Sequence, residues 1–158
     1  PSENAELLGT LVEVKKRQAV SGVDINLKQA WETYGNGSHD TIVAMIDTGI
    51  DASHEDLKDT LWVNTDEIPG NGIDDDGNGY VDDCYGWNFY NNNNQIFTGN
   101  EDSHGTHGAG TISAGTGNGI GIAGIVPGNR VRVIALKALG GTDGGGSTAA
   151  VIKAIRYA

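Results

Sequence analysis

Two short motifs carry residue types that could perform catalysis. Asp47 follows the apolar run 41–46 and precedes Thr48-Gly49, a pattern typical of a strand that ends in a turn. His104 opens the segment His104–Gly110, which reads HGTHGAG. A carboxylate that binds one imidazole nitrogen fixes the tautomer of the ring, and the other nitrogen can then serve as a base. The two motifs therefore indicate two of the three groups of a nucleophilic hydrolase.

The segments around these motifs predict alternating strands and helices. The predicted strands are 41–46 and 131–136, and residues 86–90 form a short strand or a segment directed into the core. The predicted helices are 27–34, 105–114 and 148–158. Three glycines in the helix after His104 would each cost about 1 kcal/mol of helix propensity, and they allow close contact with neighbouring backbone. We expect Asp102 or Ser103 to cap this helix and Ser147 to cap the last one. Asp47 would then lie at the carboxyl end of a strand.

The motifs and their order resemble the subtilisin family of serine proteases, in which Asp comes first, His second and Ser last. Residues 49–57, GIDASHEDL, extend this resemblance. The resemblance implies a three-layer α/β fold with a mostly parallel central sheet, of which this chain holds the N-terminal half. Residues 1–158 would form the N-terminal part of a single catalytic domain. Within it we expect an extended arm at 1–25 and an inserted acidic region at 64–103. The catalytic residues implied are Asp47 and His104.

The acidic region contains the sequence DDDGNGYVDD at residues 74–83, with five carboxylates in ten residues. Its spacing matches the first seven positions of an EF-hand-like calcium loop, but Tyr85 stands where that loop has a Glu. The candidate ligands are Asp74, Asp76, Asn78 and the carbonyl of Tyr80, with Asp82 or Asp83 closing the site. Neighbouring like charges repel by about 1 kcal/mol per pair even in water, and a divalent cation removes that cost. Oxygen ligands favour Ca²⁺ over Zn²⁺. The alternative is a solvated acidic turn.

A second calcium site is implied by the resemblance alone. The glycine-rich loop 115–127 is similar to the subtilisin segment that wraps a calcium ion. The implied ligands are the Asn118 side chain, the carbonyls of Ile120 and Ile122, and Asp56. The alternative is a loop that only turns the chain.

A substrate-binding edge is also implied by the resemblance. In the family, the strand that would correspond to residues after Leu136 binds a peptide by strand addition. The residues concerned are Leu139, Gly140, Gly144, Gly145 and Gly146. The stretch 141–146 has almost no side-chain bulk, which would let a peptide or protein substrate approach the backbone. The alternative is a flexible linker.

The family's nucleophilic motif, Gly-Thr-Ser-Met-Ala, does not occur in these 158 residues. We therefore expect a serine endopeptidase whose Ser is carried by a complementary C-terminal polypeptide, so that this chain by itself is inactive. One alternative is a non-catalytic calcium-binding pseudoprotease module or an inactive fragment. Another is a metal-dependent hydrolase that uses His104 and His107, although no Glu lies between them.

Composition argues against two classes of partner. The formal net charge of −11 argues against nucleic acids and anionic membrane surfaces. No apolar run approaches the roughly 20 residues that a membrane-spanning helix needs. With 37% hydrophobic residues, the chain can form one domain with a core. We expect a secreted or extracellular protein whose signal and pro-segment are not in this chain.

Overall fold

A computed structural model describes residues 22, 24–35, 37–126, 128 and 130–158. The chain divides into two compact units, Pro1–Gly35 and Asn36–Ala158. In the first unit, helix α1 spans Leu27–Tyr34, as predicted, and Gly35 ends it with a φ of 61°. The arm predicted at 1–25 lies outside the described residues, except for positions 22, 24 and 25.

The second unit contains a three-stranded sheet. Its strands are β1, Thr41–Asp47; β2, Gly86–Asn88; and β3, Val131–Lys137. Their order is β1-β3-β2, and both outer strands run parallel to β3. Apart from Arg132, every residue of β3 is buried. A run of apolar residues is typical of a central parallel strand that is covered on both faces. The predicted parallel sheet is confirmed.

Two helices pack against opposite faces of this sheet. A 3₁₀ helix at Asn100–Asp102 leads into α2, Ser103–Ser113, and α3 spans Thr148–Tyr157. The two apolar clusters contain Ala109 with Val131, Val133 and Ala135, and Ala154 with Ile134 and Leu136. Because alternate residues of a strand point to opposite faces, α2 and α3 lie on different sides of β3. The fold is therefore a three-layer α/β arrangement, as expected.

Close packing brings the start of α2 against the turn after β1. A Cβ atom on Gly105 would lie 2.2 Å from the carbonyl oxygen of Gly49. Gly49 itself has a φ of 118°, and a Cβ there would lie 2.1 Å from the carbonyl oxygen of Ile96. Only glycine permits both approaches. The two glycines therefore allow His104, which directly precedes Gly105, to lie close to the end of β1.

The last helix begins as the sequence predicts. The Ser147 hydroxyl oxygen accepts a hydrogen bond of 3.1 Å from the amide of Ala150, which satisfies one unpaired donor of the first turn. Within the part of the chain that the structure describes, no helix has the length and apolar content needed to cross a membrane.

Candidate active site and candidate metal centre

The end of β1 and the start of α2 bring Asp47 and His104 together. The imidazole Nδ1 of His104 lies 2.8 Å from Oδ1 and 3.0 Å from Oδ2 of Asp47. A carboxylate only accepts hydrogen bonds, so Nδ1 carries the proton. In the neutral ring, Nε2 is then an acceptor. The pair therefore has the arrangement of a general base and the group that orients it.

The surroundings of the pair favour an ionised Asp47. Burial raises the pKa of Asp47, but hydrogen bonds from the Thr48 amide at 2.7 Å and from His104 outweigh it. The net pKa lies below its ordinary value. The His104 side chain is 80% exposed, whereas that of Asp47 is 12% exposed. A buried anion thus holds an imidazole that a reacting group can reach.

Sequence reasoning missed a buried ion pair beside this site. The Lys137 ammonium lies 2.6 Å from Oδ1 of Asp102, and both side chains are at most 1% exposed. Asp102 does occupy the N-cap position of α2, but its side chain makes no capping bond. The signal available in the sequence was a single lysine at the end of the apolar strand VRVIALK.

Three carboxylates in the acidic region converge on one point. Glu67, Asp76 and Asp83 each offer an oxygen within 4.8 Å of the others, and we call them the acidic cluster. The Asn64 amide nitrogen bridges two of them, at 2.9 Å from Asp76 and 2.8 Å from Asp83. Asn78 also donates to both, at 3.0 Å each.

The predicted calcium ligands fall into two groups. Asp76, Asp83 and Asn78 meet at the acidic cluster, whereas Asp74 and Asp82 do not join it. Asp74 accepts hydrogen bonds from the amides of Asn78 and Gly79. Asp82 accepts them from the amides of Asn71 and Gly72, and the amide of Tyr80 donates to the side chain of Asn78. The two carboxylates outside the cluster therefore hold turns.

Glu67 was not predicted as a ligand. Its Oε1 accepts hydrogen bonds from the amides of Asp75 and Asp76, and its Oε2 accepts one from the amide of Asp82. It lies seven residues before the loop motif begins, outside any ligand spacing of that motif. Only its acidic character, in a loop rich in turn residues, could have pointed to it.

The acidic cluster fits a hard cation by its donors and its charge. Glu67 is 5% exposed and Asp83 is fully buried. In the described part of the chain, the ion pairs join other residues. The side-chain donors to the cluster are neutral: the amides of Asn64 and Asn78, and the hydroxyl of Tyr157, which donates to Asp83 at 2.5 Å. A hydrogen bond from Asn64 holds the pKa of Asp76 below its ordinary range. Anionic oxygens without a basic partner are the ligand set that Ca²⁺ prefers.

The residues of the second predicted calcium site also come together. Asp56 is buried, and its Oδ1 accepts a hydrogen bond of 2.7 Å from the Asn118 amide nitrogen. Its Oδ2 accepts one of 3.1 Å from the amide of Ile122. The Asn118 oxygen accepts from the amide of Ile120. The bond from Asn118 is the main cause of the lowered pKa of Asp56. Internal donors thus satisfy this carboxylate.

Residues 139–146 form a closed turn. The amide of Gly140 donates to the carbonyl of Gly145 at 2.9 Å, and Gly144 donates to Gly141 at 3.1 Å. Leu139, Gly144 and Gly145 are half-buried, and Gly146 is exposed. A Cβ on Gly146 would lie 2.4 Å from the carbonyl oxygen of Ala138. The segment is therefore packed against the end of β3.

His107 takes no part in a cluster of metal-binding side chains among the described residues, where the acidic cluster is the group of that kind. Nδ1 of His104 is occupied by Asp47. Among the described residues, no third His, Cys, Asp or Glu side chain joins His104 and His107 in such a group.

Comparison with known proteins identifies a family. Residues 38–158 match the subtilase family. Subtilisin-like protease 1 of Plasmodium vivax is 50% identical over 86 residues, which are 54% of this chain and 13% of that protein. The major intracellular serine protease of Bacillus subtilis is 38% identical over 116 residues, which are 73% of this chain and 29% of that protein.

A third relative is the halolysin-like extracellular serine protease Nep of Natrialba magadii. It is 31% identical over 134 residues, which are 84% of this chain and 21% of that protein. The chain therefore spans less than a third of the length of each of these three relatives.

Proposed function

The chain belongs to the subtilase family, and we propose that it supplies two catalytic residues of a serine endopeptidase. The observation that carries this proposal is the 2.8 Å contact between His104 Nδ1 and Asp47 at the carboxyl end of a parallel strand. The exposed ring of His104 supports it further. The names of three relatives describe serine or subtilisin-like proteases.

The proposed reaction is acyl transfer through a serine that we place outside these 158 residues. His104 Nε2 accepts the hydroxyl proton while the serine oxygen attacks the peptide carbonyl carbon. The same nitrogen then gives that proton to the departing amine. Asp47 stays ionised, holds the ring in the required tautomer and stabilises the imidazolium between these two steps. Water releases the acyl group by the reverse sequence.

The nucleophile is proposed to lie on a complementary polypeptide segment. In the described sheet, β1 is an edge strand that pairs only with β3. Ile42, which belongs to β1, is 58% exposed. Ile155 of α3 is also 59% exposed. Such surfaces are suited to a large apolar interface with the Ser-bearing segment.

The substrate is proposed to be a peptide in extended conformation beside residues 139–146. The glycines at this edge allow the backbone of a peptide to approach. The bond from Gly140 to Gly145 keeps the turn closed, so the amide of Gly140 is used within the chain.

Calcium is proposed as a structural ion at the acidic cluster. Glu67, Asp76 and Asp83 would be its carboxylate ligands, and it would supply positive charge to a group of anions. Asp56, Asn118, Ile120 and Ile122 are proposed for a second ion. Binding there requires Asn118 to turn its oxygen inward, because its nitrogen faces Asp56.

An extracellular location is proposed as well. The name of the Natrialba relative places that protein outside the cell, and the name of the Bacillus relative places that one inside. Fractionation of the source cells decides between them. Enrichment in the medium supports secretion, and retention in the cytoplasm contradicts it.

A fluorophosphonate probe tests the proposed function directly. In the reaction with such a probe, the oxygen of a base-activated serine bonds to phosphorus and fluoride leaves. Intact mass spectrometry of the complete protein should show one bound probe, and peptide mapping should place it on a serine outside residues 1–158. His104→Ala should abolish the labelling. A folded, unlabelled protein would contradict the endopeptidase and leave the non-catalytic calcium-binding module.

A further inference from the structure

Lys137 makes three contacts that the proposed reaction does not use. Its ammonium group donates to the carbonyl of Thr48 at 2.5 Å, to Oδ1 of Asp102 at 2.6 Å and to the carbonyl of Leu139 at 3.0 Å. An ammonium group has three protons, so all of its donors are used. The side chain is 1% exposed. A lysine is rarely buried to this degree unless it is paired.

Each acceptor belongs to a different part of the candidate active site. Thr48 directly follows Asp47 at the end of β1. Asp102 stands two residues before His104, at the N-cap of α2. Leu139 extends β3 toward the proposed substrate edge, and its amide donates to the carbonyl of Asp47 at 3.1 Å. One cation therefore joins three segments that are distant in sequence.

The far side of Asp102 is also fixed. Its Oδ2 accepts hydrogen bonds from the amide and the hydroxyl of Thr98, at 2.7 and 2.9 Å. The carboxylate is fully buried. Hydrogen bonds to both oxygens hold Asp102 in place. Because Asp102 is the N-cap residue of α2, its position also fixes the start of that helix, and with it His104.

We propose that Lys137 is a positioning residue, whose ammonium group sets the distance between Asp47 and His104 by joining Thr48 to Asp102. This inference rests on the proposed protease function for its kinetic consequence. The geometric part stands by itself, because the contact between Asp47 and His104 lies within this chain. Lys137 does not touch the reacting atoms, so it acts through the two residues it aligns.

The test compares a single and a double variant of the complete protein. Lys137→Met leaves a buried carboxylate without its partner and is expected to lower stability as well as activity. Lys137→Met with Asp102→Leu removes both charges at similar volume, and replacement of this kind commonly preserves folding. Lys153→Met, which changes an exposed lysine of α3, is the matched control.

The double variant separates positioning from stability. We expect its melting temperature to return to near that of the parent while kcat stays about 100-fold lower, because a displacement of about 1 Å costs that much. A rise in KM would report the lost contact to Leu139 at the proposed substrate edge, and the fall in kcat would report the displaced catalytic pair. Recovery of kcat together with the melting temperature would overturn the proposal. If the double variant does not fold, Lys137→Arg keeps the charge but alters the three-way geometry, and an unchanged kcat there overturns it.

A proton NMR spectrum tests the positioning role of Lys137 separately from the proposed protease function. The His104 Nδ1 proton, which is bound to Asp47, gives a downfield resonance that does not depend on any serine. We expect that resonance to shift or vanish in the folded double variant and to persist in Lys153→Met. If the parent lacks protease activity, the same comparison still decides whether Lys137 positions the pair. An identical resonance in the folded double variant would contradict the positioning role of Lys137.

Discussion

The two charged regions of this molecule balance their carboxylates in different ways. Near the candidate active site, Asp47 has His104 as partner, and Asp102 has Lys137. In the acidic cluster, Glu67, Asp76 and Asp83 are held by neutral donors. The first region finds its positive groups within the chain. The second region gathers three anions, and no positively charged side chain among the described residues forms an ion pair with them.

The difference separates what the chain can build by itself from what it needs a cation to complete. Side chains and close backbone packing fix the contact between Asp47 and His104, so its geometry should not depend on added metal. The acidic cluster pays for gathering like charges, and bound calcium would remove that cost. Calcium should therefore control stability far more than the geometry of the pair.

The strongest effect is expected at Asp47. Asp47→Asn in the complete protease should lower turnover by about 10⁴-fold, because the ring of His104 would adopt the wrong tautomer. Steady-state kinetics on a peptide substrate measure this. Asp59→Asn, at an exposed position, is the control and should keep the parent rate. Turnover within tenfold of the parent would remove Asp47 from the orienting role.

The acidic cluster should respond to chelation. Calcium at about 100 times its Kd contributes about 2.7 kcal/mol, which corresponds to roughly 5–10 °C in the melting temperature of a domain of this size. Removal with a chelator should lower the melting temperature by that amount, and restored calcium should recover it.

A matched pair of variants tests whether the acidic cluster causes the calcium-dependent shift of the melting temperature. Glu67→Gln should lose most of the calcium-dependent shift, whereas Glu55→Gln, at an exposed position, should keep it. An unchanged melting temperature after verified metal removal would show that the acidic cluster is a solvated turn instead.

Two glycines of α2 should respond in opposite directions. Gly105→Ala would place a Cβ 2.2 Å from backbone, and overpacking of this kind costs about 1–3 kcal/mol. Gly110→Ala meets only the Cδ1 of Ile122 at 3.8 Å, so it should stabilise the helix by up to about 1 kcal/mol. Urea unfolding of both variants measures the difference. Equal effects would mean that α2 does not need its close approach to the turn after β1.

The smallest expected effect is the contribution of Asp47 to the pH dependence of the free energy of unfolding. Its folded-state pKa lies below the unfolded value of about 3.9, so its contribution to stability is complete above that pH. The contribution should disappear as the pH falls through the lower folded-state pKa. The difference in unfolding free energy between the parent and Asp47→Asn should therefore shrink in acid. A difference that grows in acid would mean that the folded-state pKa is raised.

Much of the fold could be predicted because its signals are local. The apolar runs of β1 and β3, the Ser147 cap and the glycines of α2 all lie within single segments. The contact of Asp47 with His104 followed from recognisable motifs at each end. For these features, a few neighbouring residues contain the whole pattern.

What could not be predicted depends on segments that meet only in the folded chain. Glu67 joins the acidic cluster because the loop folds back over it, and no spacing rule includes that position. Lys137 and Asp102 are 35 positions apart, and each by itself resembles an ordinary strand end or helix cap. Asp82, which does fit the loop motif, instead holds a neighbouring turn. Spacing predicts which residues are available, and packing decides which of them meet.

The most direct measurement is the His104 Nδ1 proton resonance, recorded with and without calcium at a temperature where both forms are folded. If the catalytic pair is complete within the chain and calcium serves the acidic cluster, the resonance should stay in place while the melting temperature shifts. Loss of the resonance in folded, calcium-free protein would contradict this. It would mean that the contact between Asp47 and His104 itself requires the cation.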